Sequence, residues 1–158
     1  PDRILAVMEP FIQENPKTYR SLVKAMIEAC QYCSKPENRE EVAQIVSQRS
    51  FTGVKPKLTQ AGIVGDYNYG GFDGKKRYVD SIETTLFFDI PENISQIPHD
   101  HSTFLWQSES IWLMTQATRW GQIKNFPKNA EVLAREAWRT DLYREIATEM
   151  GIECPKED

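Results

Sequence analysis

Four short stretches carry side chains whose type and spacing could do chemistry. Cys30 and Cys33 stand three apart, the spacing of a redox pair or of half a zinc site. His99 and His101 are the only histidines and flank Asp100. Asp66-Tyr67-Asn68-Tyr69-Gly70-Gly71 opens like a calcium loop, and Gly70-Gly71-Phe72-Asp73-Gly74-Lys75-Lys76 has the glycines and lysine of a phosphate cradle. Each falls short of its chemistry. The cysteine pair lies inside a helical pattern with no second pair and no nearby histidine, and a three-residue step in a regular helix is poor disulfide geometry. Two histidines one residue apart supply half of a zinc site at most. The calcium pattern has Gly70 at position five and Arg77 where position twelve needs a bidentate glutamate. The glycine-rich run lacks the P-loop spacing and the Ser or Thr after its lysine. No nucleophile elbow or dinucleotide fingerprint occurs either. An enzymatic role has no positive support, and no cofactor or metal is expected.

The densest signal is aromatic. Trp106 to Gly121 holds three of the four tryptophans, Trp106, Trp112 and Trp120. The spacing is helical, with Ser108 expected as the N-cap and Gly121 as the stop. Trp112, Thr115, Gln116, Arg119 and Trp120 then share a side. A tryptophan cluster marks either a packing centre or a contact surface. The packing reading makes this a core helix. The contact reading makes Trp112, Arg119 and Trp120 the anchors for a partner.

The surrounding elements read as mostly helical. Ile4 to Met8 is an apolar run ended by Pro10, either a strand or a helix start. Asn15-Pro16 opens a helix in which Tyr19, Leu22, Val23, Met26, Ile27 and Cys30 form one face. Ser34-Lys35-Pro36-Glu37 fits a capping box for the next helix, which should bury Val42, Ile45 and Val46 and end near Gln48. A short helix is expected around Pro56 to Ala61. Gly65 to Gly74 reads as a loop. Thr85-Leu86-Phe87-Phe88 reads as a brief strand or helix in an otherwise irregular stretch over 75–105. Asn129 and Thr140 should cap two last helices, the second closed by Gly151.

Composition fits a soluble globular domain: 158 residues, 40% hydrophobic and 27% charged. No apolar run approaches the roughly 20 residues that span a bilayer. The net charge of −4 argues against non-specific nucleic-acid binding and offers no global attraction to an anion. Three cysteines disfavour a fully paired disulfide framework and tilt toward a reducing compartment.

Three blocks carry a family resemblance. The first is Ser110-Ile111-Trp112-Leu113-Met114-Thr115-Gln116 followed by Arg119-Trp120-Gly121-Gln122-Ile123. The second runs from Asn15-Pro16-Lys17-Thr18 through Leu22 to Ala29, then Lys35 to Ala43 and Ile45 to Gln48. The third is Asp141-Leu142-Tyr143-Arg144-Glu145, ending in Met150-Gly151-Ile152. In this order they resemble the later portion of the nitrate/nitrite- and bicarbonate-type solute-binding proteins of bacterial ABC transporters, especially the cyanobacterial ones.

The resemblance implies a fold that is mostly α with a few short strands, the later portion of a two-lobed, type II periplasmic-binding-protein-like α/β fold. Residues 1–158 are expected to form a single fragment of such a domain. The earlier portion of the family fold, which supplies most contacts to the anion, has no counterpart in these residues, and the start at Pro1 reads as an excised or processed piece. Arg3 falls near a polar position facing the cleft between lobes, with a surface arginine the alternative. In some cyanobacterial transporters a similar domain is attached to the ATPase subunit and is thought to regulate transport. The expected role is therefore a solute-binding-like regulatory domain on the cytoplasmic face of the inner membrane. Its partners would be the permease and ATPase subunits, and nitrate, nitrite or bicarbonate is a possible ligand. The alternatives are a fragment of the periplasmic binding protein itself and a helical interaction module with no small-molecule site.

Overall fold

Prolines set where several helices begin. The computed structural model describes residues 4–156. Pro10 stands in the first turn of α1 (Glu9–Glu14), Pro16 opens α2 (Pro16–Ser34), Pro36 begins a 3-10 turn (Pro36–Asn38), and Pro56 begins α4 (Pro56–Ile63). A proline there lacks only an N–H that would have no helical partner, and its φ is already helical. Thus Pro10 lies in the first turn of a helix that begins at Glu9, and the apolar run Ile4 to Met8 before it is neither strand nor helix. The remaining elements are α3 (Arg39–Ser47), β1 (Asp66–Asn68), β2 (Tyr78–Asp80), α5 (Ser81–Thr84), α6 (Gln107–Arg119), α7 (Ala130–Ala137) and α8 (Thr140–Glu149). About half the chain is helical, and the two short strands form one antiparallel hairpin pairing Asp66 with Asp80, Tyr67 with Val79 and Asn68 with Tyr78.

The described residues divide into two compact units, one of residues up to Ala25 together with those from Gln96 onward, the other Met26–Ser95. Helix α2 contributes its first half to one and its second half to the other. Along it Tyr19, Val23 and Ile27 are buried at four-residue steps, whereas Leu22 and Met26 remain exposed. The buried stripe is therefore narrower than the apolar pattern.

In the unit Met26–Ser95, α3 packs on α4 through buried Val42 and Ala43. Ile45 is exposed, contrary to the periodic reading, and Val46 is only partly covered. Ser34 closes α2 instead of capping the next helix, and its hydroxyl accepts a hydrogen bond from the Asp89 N–H at 3.1 Å. The end of α4 is closed by side chains. The last four carbonyls of a helix have no helical donor. Here the Gln60 carbonyl accepts from Val64 N–H, the Ala61 carbonyl from the Ser81 hydroxyl at 2.6 Å, and the Gly62 carbonyl from the Thr85 hydroxyl at 2.9 Å. The Ile63 carbonyl accepts from the Arg39 guanidinium at 3.5 Å. Arg39 is 2% exposed, also donates to the Ser34 carbonyl at 3.5 Å, and lies 4.6 Å from the Phe87 ring centre. Burial lowers its pKa from the ordinary arginine value. Residues Thr85–Phe88 form neither strand nor helix; Phe88 is buried and Thr85 closes α4.

In the other unit the core is Phe104, Ala130, Ala134, Ile146 and Ala147, with Tyr19 and Val23 of α2. Ion pairs join α2 to α8: Arg20 to Glu145 at 3.1 Å and to Glu149, and Lys24 to Glu149 at 2.8 Å. Arg139 forks onto Asp141 at 2.9 and 2.8 Å and reaches Glu9 of α1 at 3.2 Å. Helix α7 begins after Asn129, whose side chain makes no cap bond, and α8 begins at Thr140 with Arg139 in the N-cap position. Thr140 is buried and accepts from the Gln107 amide at 3.0 Å, so it works as a packing polar residue.

Two predictions follow from these contacts. Arg39→Ala takes the guanidinium donor from two part-buried carbonyls, Ser34 and Ile63, and opens a gap beside Phe87, at a cost of about 3 kcal/mol in a denaturant titration. An Arg39 free of structural consequence would leave the midpoint unchanged. The second concerns pH. Arg139 holds the Asp141 carboxyl below its ordinary pKa. The pair therefore stabilises the fold above the pH where an unfolded aspartate ionises, and that contribution fades as pH falls through the lower, folded value. After allowance for solvent screening, Asp141→Asn removes about 0.5 kcal/mol or less at neutral pH. The difference between variant and wild type should shrink steadily in denaturation curves taken as pH falls below the ordinary aspartate range.

Candidate functional site

The aromatic helix α6 is positioned by an aromatic node just before it. Phe104 is 3% exposed. The Trp106 ring stands edge-on to it at 5.1 Å and 76°, the Tyr143 ring at 5.6 Å and 81°, and the Arg144 guanidinium lies 5.1 Å from its centre. These are the offset and edge arrangements that ring quadrupoles prefer. Polar ends close the node. Trp106 Nε1 donates to Asp100 at 3.3 Å, Thr103 and Tyr143 hydroxyls share a hydrogen bond at 2.7 Å, and Arg144 Nε donates to the Pro155 carbonyl at 3.0 Å. Trp106 occupies the N-cap position, two residues before the expected Ser108. Phe104 itself has no periodic signal in the sequence, because it lies in an irregular stretch.

Helix α6 ends as its glycine requires. Gly121 takes φ +73°, its N–H bonds the Thr118 carbonyl at 3.1 Å, and Gln122 N–H bonds the Ala117 carbonyl at 2.9 Å. This is a Schellman ending, and the left-handed φ is cheap only for glycine. It leaves Trp120 67% exposed at the helix end, with Trp112 57% exposed two turns earlier. Leu113, Phe126, and Val132 and Leu133 of α7 are exposed too. Arg119 is exposed and has no carboxylate partner among the described residues. Thr115, Thr118, Arg119 and Phe126 line a shallow apolar depression. The three tryptophans of the cluster therefore divide: Trp106 packs, while Trp112 and Trp120 stand out with Arg119 between them.

The remaining candidate residues take structural places. His99 pairs with the Glu153 carboxylate at 2.8 Å, and His101 Nε2 lies 2.9 Å from the Glu153 carbonyl. Cys30, Cys33 and Cys154 are free, and partial burial raises the pKa of each thiol, which makes them poor nucleophiles. Among the described residues no group of three or more His, Cys, Asp or Glu is placed to hold a metal ion. The stretch read as a loop over 65–74 carries strand β1 and the turn of the hairpin. Arg3 lies outside the described residues.

Sequence and fold align this chain with solute-binding-like components of nitrate and bicarbonate transporters, as the motif resemblance implied. Residues 1–47 match the NMT1-like family. The chain is 28% identical over 151 residues to the nitrate import ATP-binding protein NrtC of Synechocystis sp. PCC 6803, a match covering 96% of this chain and 20% of that protein. It is 28% identical over 156 residues to the bicarbonate-binding protein CmpA of Synechococcus elongatus, covering 96% of this chain and 32% of that protein. Its fold matches part of the crystal structure of the periplasmic nitrate-binding protein NrtA from Synechocystis PCC 6803. The TM-score is 0.75 at 24% identity, over 94% of this chain and 36% of that one. The chain thus spans between a fifth and about a third of the length of these relatives. Among the described residues no helix is long and apolar enough to cross a membrane.

The division of the tryptophans has a measurable consequence. Phe104→Ala should cost about 3–5 kcal/mol of stability, the cost of emptying a buried aromatic site. Trp112→Ala should stay within about 1 kcal/mol of wild type. Equal losses in thermal or chemical unfolding would mean that Trp112 is part of the core.

Proposed function

We propose that this chain is a solute-binding-like domain of a nitrate- or bicarbonate-type ABC transporter that regulates transport by sensing an anion or a docked partner. One observation carries the reading. Essentially the same 150 or so residues align with a fifth of an ATP-binding protein and with a third of a dedicated binding protein. A unit that occurs in both settings is a module attached to the transport machinery, and it makes up only a fifth of the ATP-binding protein. The free thiols Cys30, Cys33 and Cys154 suit a reducing compartment, which favours the cytoplasmic face of the inner membrane.

Trp112, Arg119 and Trp120 are the proposed partner contacts. Exposed tryptophan and an uncommitted arginine are the residue types that dominate binding energy at interfaces, and here they stand on one rigid helix. The partners in view are the permease and ATPase subunits. Regulation further needs an element with two states that the signal stabilises to different degrees. Arg3 remains the proposed cleft residue. A second reading, a piece of the periplasmic binding protein itself, is favoured by the fold match to periplasmic NrtA.

Calorimetric titration of the native polypeptide with nitrate, nitrite and bicarbonate in turn tests both. Under the regulatory reading, saturable binding of one anion or of a transporter subunit is expected, and Trp112→Ala with Trp120→Ala weakens the subunit contact about tenfold or more. A folded protein that binds none of the three anions and no subunit would end both readings.

A further inference from the structure

The hairpin between β1 and β2 presents its own chemistry, apart from the function proposed above. Its nine-residue connection is held rigid from inside. The Asn68 side-chain oxygen accepts from Gly70 N–H at 3.1 Å and from Arg77 N–H at 3.0 Å, and Tyr69 N–H extends the ladder to the Arg77 carbonyl at 2.9 Å. Arg77 forks onto Asp73 at 3.0 and 2.6 Å, and Asp73 also accepts from Lys75 N–H at 3.1 Å. The backbone closes so tightly that a Cβ on Gly70 would stand 2.3 Å from the Lys75 carbonyl oxygen. At the apex Phe72 is fully exposed. A phenyl ring held in water by a preorganised turn buries nothing against the described residues.

The charges are sorted along the same hairpin. Asp66 and Asp80 face each other across its base. At the tip Asp73 and Arg77 neutralise each other, while Lys75 and Lys76 are exposed with no ion pair among the described residues. The hairpin is therefore negative at its root and positive at its apex. Tyr67 and Tyr69 lie on one face of the ribbon and Tyr78 on the other, all exposed. Aromatic groups on both faces suit an end-on approach to a laterally uniform surface better than a side-on fit into a socket.

We propose that this hairpin tip is a contact for an anionic lipid surface. Phe72 enters the boundary between headgroups and acyl chains, Lys75 and Lys76 meet the headgroup anions, and the tyrosines sit at headgroup level. Tyrosine prefers that level because one end of its ring is apolar and the other wet. One phenyl ring and two lysines give weak, reversible, salt-sensitive attachment, an auxiliary to another contact and not an anchor. Preorganisation matters because the loop loses little freedom when it docks.

The test is co-sedimentation of the full chain with vesicles of equal parts phosphatidylglycerol and phosphatidylcholine, against vesicles of phosphatidylcholine alone. Binding is expected only to the anionic vesicles and should fade at high salt. Phe72→Ala should weaken it roughly tenfold, and Lys75→Glu with Lys76→Glu roughly tenfold or more. Neither change touches a packed group, so circular dichroism should match wild type. Phe72→Trp should bind and give a blue-shifted difference emission on vesicle addition. No binding to anionic vesicles at low salt overturns the proposal. So does binding indifferent to both sets of substitutions, or a bound Phe72→Trp with unshifted emission. Binding that appears only when the vesicles carry transporter subunits, and that Phe72→Ala removes, also overturns it and makes the tip a protein contact.

Discussion

A helix that stops inside a protein must hand its last carbonyls to some donor, and the sheet among the described residues is a single two-stranded hairpin. That constraint shapes both units. At α4 the donors are side chains drawn from distant parts of the sequence: Arg39, Ser81 and Thr85. Closing one helix end therefore fixes the start of α3, the single turn α5 and the irregular segment behind it. Arg39 is the least replaceable of the three, because its fork spans the ends of two helices, Ser34 of α2 and Ile63 of α4. The helix dipoles place partial negative charge where the buried cation sits, which helps a guanidinium with no ion pair among the described residues to be tolerated there, and Asp80 adds a longer-range attraction. The two carbonyl bonds are long and Nε has no hydrogen-bond partner, so the ring face of Phe87 supplies part of the compensation.

Helices α6 and α8 solve the same problem within the chain itself. Gly121 and Gly151 take left-handed φ values of +73° and +72°, and each ending returns two backbone N–H groups to the last-turn carbonyls. A local solution needs no side chains from elsewhere, so it leaves the surface beyond the helix end uncommitted. This is why Trp120 can stand exposed beside Gly121, whereas the residues around the end of α4 are packed. The way a helix ends thus decides whether its surroundings can serve a partner.

The same distinction explains what was legible in the sequence. Gly121 and Gly151 as helix stops, Pro16 and Pro56 as helix starts, and the buried Tyr19, Val23 and Ile27 all follow from signals within a few residues. The placements that went astray depend on contacts from far along the chain. Ser34 looks like the start of a capping box, yet the helix before it continues through Ser34, because Arg39 and the Asp89 N–H lie close by to take its carbonyl and hydroxyl. Ile45 looks like core but is exposed, and Val42 and Ala43 take the buried positions of α3. The strands of the hairpin were hidden among glycines and tyrosines, since three residues per strand leave no room for an alternating pattern. Phe104 was invisible for the same reason: its burial is decided by Trp106, Tyr143 and Arg144, none of which can be paired with it by spacing.

For the candidate contact residues the sequence pattern was right about the helix and silent about its orientation. Periodicity puts Trp112, Arg119 and Trp120 on one side, but a shared side can face inward or outward, and composition alone favours inward because large aromatic rings usually pack. The direction is set by a residue outside the pattern. Trp106 is pulled onto Phe104, and its N-cap position fixes the rotation of every residue after it. Ser110, one turn on, is buried, and Trp112, some 200° further round the helix axis, must then point away. The exposure of Trp112 is thus a geometric consequence of where Trp106 is anchored, and a helix held this firmly presents its outer face at little entropic cost to whatever binds there.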